Sequence, residues 1–282
     1  MIDPAAFRTT SRERWETAAS GWEARRADLQ RAAEPVSHWM VEAIAPQPGH
    51  VVLELAAGVG DTGFLAAELV KPGGKVICTD GAEPMLEAAR RRAAELGLDN
   101  VEFEAMEAEW IDGQTASLDA VLCRWGYMLL ADPEAALRET RRVLKPGGRV
   151  ALAAWDAPGH NPWVTATTAE LVAQGLSQPP PPDEPGMFSF AGDGVISELL
   201  LSTGFEDVVV DAVDIVYGVA SFDEWFDYLF DVSPSLGEAL ARATPEQRDL
   251  VYEGIEARLA EFRGEDGSLA LPGRTLVAAA SA

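Results

Sequence analysis

Three glycines, Gly58, Gly60 and Gly63, match the spacing G-x-G-x-x-G between a short apolar run and a segment typical of a helix. Glycine lets a turn approach a ligand closely, and the N–H groups at the start of a helix bind polar or anionic ligand groups. Asp80 follows 20 residues after Gly60, where a carboxylate can accept both hydroxyls of a ribose. The pattern predicts a site for a nucleotide-type cofactor, and two cofactor classes use such a loop.

Nearby acids distinguish the two classes. Glu54 stands four residues before Gly58, where it can receive a cationic amino group and would repel a pyrophosphate. Glu107 and Glu109 follow the third predicted strand, and the glycine loop contains neither Arg nor Lys. These features favour S-adenosylmethionine, which carries a sulfonium, over a nicotinamide dinucleotide. An NAD(P)-dependent oxidoreductase and a non-catalytic S-adenosylmethionine-binding protein stay open as alternatives.

Strands alternate with helices around this loop. Apolar runs predict the strands, and segments closed by Gly or by Pro-Gly-Gly predict the helices between them. Such alternation predicts βαβ units and a mostly parallel sheet that is covered on both faces. The predicted strands are 51–55, 75–79, 101–105, 118–123 and 149–155, and the helices between them are 61–70, 83–96 and 133–144, with a turn at 145–148.

The alternation is absent at both ends of the chain. Residues 9–32 and 35–44 predict two helices before the loop. Residues 178–186 contain four consecutive prolines and predict a stiff linker. The other elements predicted beyond Trp155 are helices within 157–175 and over 194–202, 222–230 and 245–262, and strands over 208–216 and 275–280.

Several segments carry a resemblance to a known family. Glu54–Gly60, Asp80, Asn100–Phe103, the Glu107-Ala108 pair and Arg141–Gly148 occur in the order and at the spacing of the class I S-adenosylmethionine-dependent methyltransferases. Within that family the chain is most similar to small-molecule enzymes related to the ubiquinone/menaquinone C-methyltransferases.

The resemblance covers about residues 11–156 and implies a fold. The expected fold is α/β, a Rossmann-like doubly wound sheet of seven strands in the order 3-2-1-4-5-7-6, with the last strand antiparallel and with helical cap segments. The implied domains are an N-terminal helical lid at 1–48, an S-adenosylmethionine-binding core at 49–156, and cap insertions with the last two strands at 157–282.

The resemblance also implies the residues that bind the cofactor. Those expected at the methionine end are Glu54 beside the amino group, the backbone amides of Ala56 and Gly58, Gly60 in the same loop, and Arg124. Those expected at the adenosine end are Asp80 on the ribose, Gly81 and Met85 beside the adenine, Glu107 on the adenine amino group and Ala108 on a ring nitrogen. The N-terminal helix is expected to fold over the site and to place Trp22 or Trp15 as a lid.

His160 is the candidate general base, because it follows the fifth strand near the edge at which open α/β sheets bind ligands. It can equally be an exposed loop histidine. The aromatic residues of 222–230 either wall an apolar acceptor pocket or form the core face of a cap helix. The expected reaction is direct methyl transfer to oxygen, nitrogen or carbon of a small molecule, for which a protein supplies proximity, alignment and exclusion of water.

Charge and composition exclude other classes. The 22 Lys and Arg against 46 Asp and Glu give a net charge of −24, which disfavours nucleic acid and anionic membranes as partners. No apolar run approaches the roughly 18 residues of a spanning helix, and no leader pattern begins the chain. Cys78 and Cys123 lie in apolar segments, which indicates a reducing, cytoplasmic setting. The three histidines and two cysteines lack metal-ligand spacing. The acidic charge favours an uncharged or cationic acceptor, and the oligomeric state stays open.

Overall fold

The computed structural model describes residues 3–179, 181 and 184–282. A single seven-stranded sheet lies at its centre. The strands are β1 (Val51–Glu54), β2 (Lys75–Asp80), β3 (Val101–Ala105), β4 (Leu118–Arg124), β5 (Leu144–Trp155), β6 (Glu206–Val219) and β7 (Leu269–Ser281). Their order is β3-β2-β1-β4-β5-β7-β6. Strands β1 to β5 are parallel, and β7 is antiparallel to both β5 and β6. The predicted fold class, strand order and antiparallel last strand are confirmed.

Helices flank the sheet and cap one edge of it. They are α1 (Pro4–Ala24), α2 (Arg26–Ile44), α3 (Thr62–Leu69), α4 (Glu83–Leu96), α5 (Pro133–Val143), α6 (Pro162–Ala173), α7 (Val195–Ser202), α8 (Phe222–Val232), α9 (Pro234–Arg242) and α10 (Pro245–Leu259). Local signals set several ends: Gly97 ends α4 in the left-handed conformation, and Thr244 with Gln247 forms a capping box on α10. Among the described residues, none of these helices is long and apolar enough to cross a membrane.

The N-terminal helices divide at a different place from the one predicted. The break falls at Arg25, and α2 continues through Pro35, which the prediction placed at the start of a second helix. An interior proline costs a helix about 3 kcal/mol. That cost is offset because α2 buries one face, including Val36 and Met40, against strands β5, β6 and β7.

One predicted turn needs correction, one helix was not predicted, and part of one predicted linker is not described by the structure. The predicted turn at 145–148 lies inside β5, at an irregularity where the register to β4 shifts between Leu118 and Ala120. Helix α9 was not predicted, although Ser233 caps it and Pro234 occupies its first turn. Part of the predicted linker, residues 180, 182 and 183, lies outside the described residues.

Helix α1 stands apart from the main core. It contacts α4 and the cap helices α8 and α9, and its buried Ala18 and Ala19 form a small apolar cluster with Val59 of the glycine loop. Cys78 and Cys123 are buried free thiols of the main core, as predicted. The placement of α1 brings the N-terminal segment over the edge of the sheet where β1 ends.

Candidate active site

The glycine loop turns through three residues in the left-handed region. Ala56, Gly58 and Gly60 have φ values of 51°, 55° and 80°, whereas Gly63 lies in α3 with ordinary helical geometry. Left-handed backbone costs an alanine about 1–2 kcal/mol relative to glycine. The turn begins at Ala56, directly after the predicted strand 51–55, and its first left-handed residue is an alanine rather than one of the three glycines. Alanine gives no sequence signal for this conformation.

Gly63 has a different role, which concerns Glu54. A Cβ at Gly63 would stand 2.5 Å from Oε2 of Glu54, so the position has no room for a side chain. The Glu54 carboxylate interacts with the backbone N–H of Gly63 and accepts from Sγ of Cys78 at 3.3 Å. Glu54 is 3% exposed, and this burial raises its pKa to about 7 despite those contacts.

Asp80 joins the loop to β2. Its Oδ2 accepts from the backbone N–H of Gly58 and its Oδ1 from that of Ala82, each at 2.9 Å. Burial raises the pKa of Asp80 against the effect of these two N–H groups. A carboxylate oxygen can accept two hydrogen bonds, so each oxygen of Asp80 keeps the capacity to accept one more from a ligand.

Acids cluster on the far side of Asp80. Glu107 lies close enough to Asp80 and Glu109 to raise the pKa of both carboxyls, after the larger effect of burial. A Cβ at Gly81 would stand 3.4 Å from Oε2 of Glu107, so the two residues are neighbours. Ala108 between the two glutamates is buried. The predicted adenosine-end residues are therefore brought together.

Helix α1 covers this acidic edge. Arg12 and Arg8 approach Glu107 and Glu109 respectively, each with an N–O distance of 3.7 Å. Below them, Met85 joins the cluster of Ala18, Ala19 and Val59, with Trp15 and Trp22 packed against it. Sequence reasoning found Trp22 and Met85 but missed both arginines, because nothing in their local spacing indicates partners about 100 residues away.

Arg124, at the carboxyl end of β4, is held in a buried polar network. Its Nη2 donates to Oδ2 of Asp61 and its Nη1 to Oγ of Ser37, both at 3.0 Å. Ser37 Oγ lies 3.0 Å from the hydroxyl of Thr62. The network joins α2 and the start of α3 to β4. Asp61 was read in the sequence only as the start of a helix, and its position directly after Gly60 was the available signal.

Aromatic rings line the carboxyl ends of β4 and β5. Trp125 stacks on Trp155 with centroids 4.4 Å apart, and the Arg124 guanidinium lies 4.8 Å from the Trp125 ring centroid. This series of contacting rings continues into the cap through edge-on, tilted and stacked pairs. Its further members are Trp163, Tyr217, Trp225 and Tyr228. Trp225 and Tyr228 are buried, which fits the core-face role predicted for 222–230, whereas Phe226 and the exposed Phe230 line an open pocket beside α9 and α10.

His160 lies apart from the glycine loop. It ends a short 3-10 turn after β5, and its half-exposed ring places Nδ1 2.7 Å from Oδ2 of Asp156. Among the described residues, no hydrogen bond or ion pair joins the His160 side chain to a predicted cofactor residue. Nor do those residues contain a group of three or more His, Cys, Asp or Glu side chains able to hold a metal ion.

The segment that contains the glycine loop is similar to a known protein family. Residues 46–177 match the family model described as a methyltransferase domain. This segment, just under half of the chain, is therefore similar in sequence to a methyltransferase domain. The resemblance inferred from the motifs is confirmed, as is S-adenosylmethionine as the cofactor of such domains.

The relatives of this chain match it over less than half of its length. The chain is 37% identical over 137 residues to a demethylmenaquinone methyltransferase of Clavibacter sepedonicus, covering 46% of this chain and 54% of the relative. It is 34% identical over 122 residues to a ubiquinone/menaquinone biosynthesis C-methyltransferase of Cellvibrio japonicus, covering 43% and 49%. The chain thus spans about half the length of these relatives.

A solved structure extends the likeness of fold beyond the methyltransferase domain. The YcgJ protein of Bacillus subtilis superposes with a TM-score of 0.59 over 88% of this chain and 98% of that one, at 19% identity. The likeness of fold therefore extends over most of the chain, including much of 157–282.

Proposed function

We propose that this protein is an S-adenosylmethionine-dependent methyltransferase that methylates a small-molecule acceptor by direct displacement. The carrying observation is the left-handed loop Ala56–Gly60, tied by its Gly58 N–H to Asp80 at 2.9 Å, within a methyltransferase domain. When bound, S-adenosylmethionine supplies a methyl group on a sulfonium, already activated for transfer.

The residues present fit that group. Apart from the two residues that adjoin Gly58, no heavy atom of the described residues stands within 4 Å of the position that a Cβ would take there, so the turn leaves space beside its backbone. Ala56 is exposed. The carboxylates of Asp80, Glu107 and Glu109 lie beyond it. Arg12 and Arg8 approach the two glutamates at 3.7 Å, so Asp80 is the acid that disfavours a pyrophosphate there.

The proposed roles of this chain's residues are binding, orientation and exclusion of water. At the methionine end they are the amide of Ala56, Glu54, Arg124, and Gly58 and Gly60 for the turn, since the Gly58 N–H already donates to Asp80. At the adenosine end they are Asp80, Gly81, Met85, Glu107 and Ala108. Trp22, with helix α1, closes over the site. The division at 1–48, 49–156 and 157–282 into lid, core and cap is part of this proposal.

The acceptor is proposed to be a fairly apolar small molecule that is neutral or cationic. Two observations support this: the net charge of −24 and the partly exposed ring of Trp125, which lies beside Arg124. Nucleic acid and membranes are not proposed as partners. The curated relatives are named for quinone methylation, and the cap that would shape this chain's own acceptor pocket lies largely outside the matched segment.

His160 is proposed as the general base for an acceptor that must lose a proton. Asp156 fixes Nδ1 of its ring, which leaves Nε2 free to take a proton. An amine acceptor would not require this step.

Calorimetry tests the proposal. S-adenosylmethionine and S-adenosylhomocysteine are each titrated into the folded protein, beside NAD⁺ and NADP⁺ as rival ligands. Binding of the first pair supports the proposal. Binding of the nicotinamide pair alone, or of neither pair at millimolar concentration, overturns it. Release of S-adenosylhomocysteine in the presence of neutral, cationic and anionic acceptors then separates an enzyme from a protein that only binds the cofactor.

A further inference from the structure

Two acids near the glycine loop have exchanged their expected roles. Asp61 occupies the N-cap position of α3, where an aspartate usually accepts an N–H of the first turn, yet its side chain makes no capping hydrogen bond. Glu54, at the end of β1, lies against the first turn of α3 instead: its Oε2 would stand 2.5 Å from a Cβ at Gly63, and the N–H of Gly63 lowers its pKa against the effect of burial. Glu54 thus serves the helix, and Asp61 is released from it.

Asp61 instead faces Arg124. Its Oδ2 accepts from Nη2 of Arg124 at 3.0 Å, while its Oδ1 is buried and has no hydrogen-bond partner among the described residues. The side chain is 5% exposed. Buried polar atoms in native proteins nearly always have a partner, and an unpaired carboxylate oxygen carries the full cost of its desolvation. This oxygen therefore calls for a donor that the described residues do not supply.

The neighbouring groups indicate which donor suits the site. Arg124 and Asp61 present a cation and an acid side by side, and an α-amino acid presents the complementary pair, a carboxylate and an ammonium. A bound cation would also satisfy Oδ1 more strongly than a neutral donor. Glu54, by contrast, already contacts Gly63 and Cys78 and is almost fully buried.

We propose that Asp61, with Arg124, forms the clamp for the amino-acid end of the methyl donor, and that Asp61 rather than Glu54 receives its ammonium group. This inference rests on the proposed function. It assigns the methionine-end contact to a residue that the motif reading passed over.

Calorimetry with two ligands separates this contact from a general role in the loop. S-adenosylhomocysteine carries the amino-acid end, and 5′-methylthioadenosine lacks it. Asp61→Asn keeps an acceptor for Arg124 but loses the charge, so we expect S-adenosylhomocysteine to bind at least about tenfold more weakly. Affinity for 5′-methylthioadenosine should stay unchanged. Asp119→Asn is the matched control, because Asp119 is held by Lys145 and Val51 at the opposite edge of the sheet.

Each other outcome has a defined meaning. Unchanged affinity of Asp61→Asn for S-adenosylhomocysteine, or equal loss for both ligands, overturns the clamp. A larger and equally ligand-selective loss in Glu54→Gln returns the role to Glu54. Failure of the unmodified protein to bind either ligand counts against the proposed function itself. If Asp61→Asn does not fold, a crystal structure of the unmodified protein with S-adenosylhomocysteine decides which carboxylate lies within hydrogen-bond distance of the ammonium nitrogen.

Discussion

Nε1 of Trp22 donates a hydrogen bond of 3.0 Å to the backbone carbonyl of Val232, 210 residues further along the chain. This bond ties α1 to the end of α8 and so joins the N-terminal segment to the cap. Arg25 strengthens the same junction through Asp231, with an N–O distance of 2.6 Å. Two contacts therefore hold the C-terminal end of α1 against the end of α8.

Trp22→Phe should loosen this cover while keeping most of its packing. The lost hydrogen bond is worth about 1 kcal/mol, which raises the population of opened α1 about fivefold. Amide hydrogen exchange over residues 4–24 should quicken by that factor, and exchange in β4 should not change. Trp15→Phe is the control, since Trp15 packs edge-on against Trp22 but donates no side-chain hydrogen bond among the described residues. Equal exchange in both variants would place no anchor at Trp22.

The buried carboxyl of Glu54 should make stability depend on pH. Its pKa is about 7 in the folded protein against an ordinary 4.5, so the folded state holds the proton more tightly than the unfolded state does. Between these two values the unfolded chain releases its proton first. The free energy of unfolding should therefore fall as pH rises from about 4.5 to 7, by at most about 3 kcal/mol.

Urea denaturation of the natural protein and of Glu54→Gln, from pH 5 to pH 8, measures this effect. Glutamine keeps an acceptor for the Gly63 N–H and does not ionise, so other titrating groups cancel in the difference between the two proteins. The natural protein should lose stability relative to Glu54→Gln as pH rises. Parallel curves, or a relative gain for the natural protein, would mean that the charged carboxylate is stabilised in place.

The sheet was readable from the sequence because its signals are local. Apolar runs bounded by turn residues marked β1 to β5, and Gly97 marked the end of α4. The strand order came from the family resemblance, not from these runs. Helix α9 was not predicted, although its Ser233-Pro234 start is a local sequence signal for the beginning of a helix.

The rest of the site depends on contacts between distant segments. Arg12 contacts Glu107 only because the tertiary fold brings α1 to the segment after β3. Arg124 contacts Ser37 only because it brings α2 to the end of β4. Local spacing contains no record of such pairs. Ala56 was predicted as a site residue, but its conformation was not: the loop holds its φ at 51°, which overrides the conformational preference of alanine.

Ala56→Gly should therefore stabilise the protein. Glycine relieves the left-handed strain of about 1–2 kcal/mol, and part of this gain is lost because glycine is more flexible in the unfolded chain. The expected net gain is up to about 1 kcal/mol, measured by urea denaturation. Ala45→Gly is the matched control: Ala45 is also exposed, has a φ of 46° and caps α2 away from the loop. Both variants should gain alike, and a loss in Ala56→Gly alone would show that its methyl group packs in the folded loop.

His160→Ala tests the proposed base once an acceptor with an ionisable proton has been identified. Removing a general base that acts in the rate-limiting step lowers kcat about 100-fold or more, while affinity for S-adenosylhomocysteine stays unchanged. Asp156→Asn should lower kcat less, because the imidazole remains and only its orientation through Nδ1 is weakened.

His50→Ala provides the control for this pair of variants. His50 accepts a hydrogen bond from the Gln47 N–H just before β1, at the end of the strands opposite to the one that His160 follows. Its kcat should match that of the natural protein over the whole pH range. The pH profile of kcat is the deciding readout, because a base contributes an acidic limb that disappears in His160→Ala. A limb that persists in that variant would assign the proton transfer to another group, and an unchanged kcat would leave His160 as a surface residue paired with Asp156.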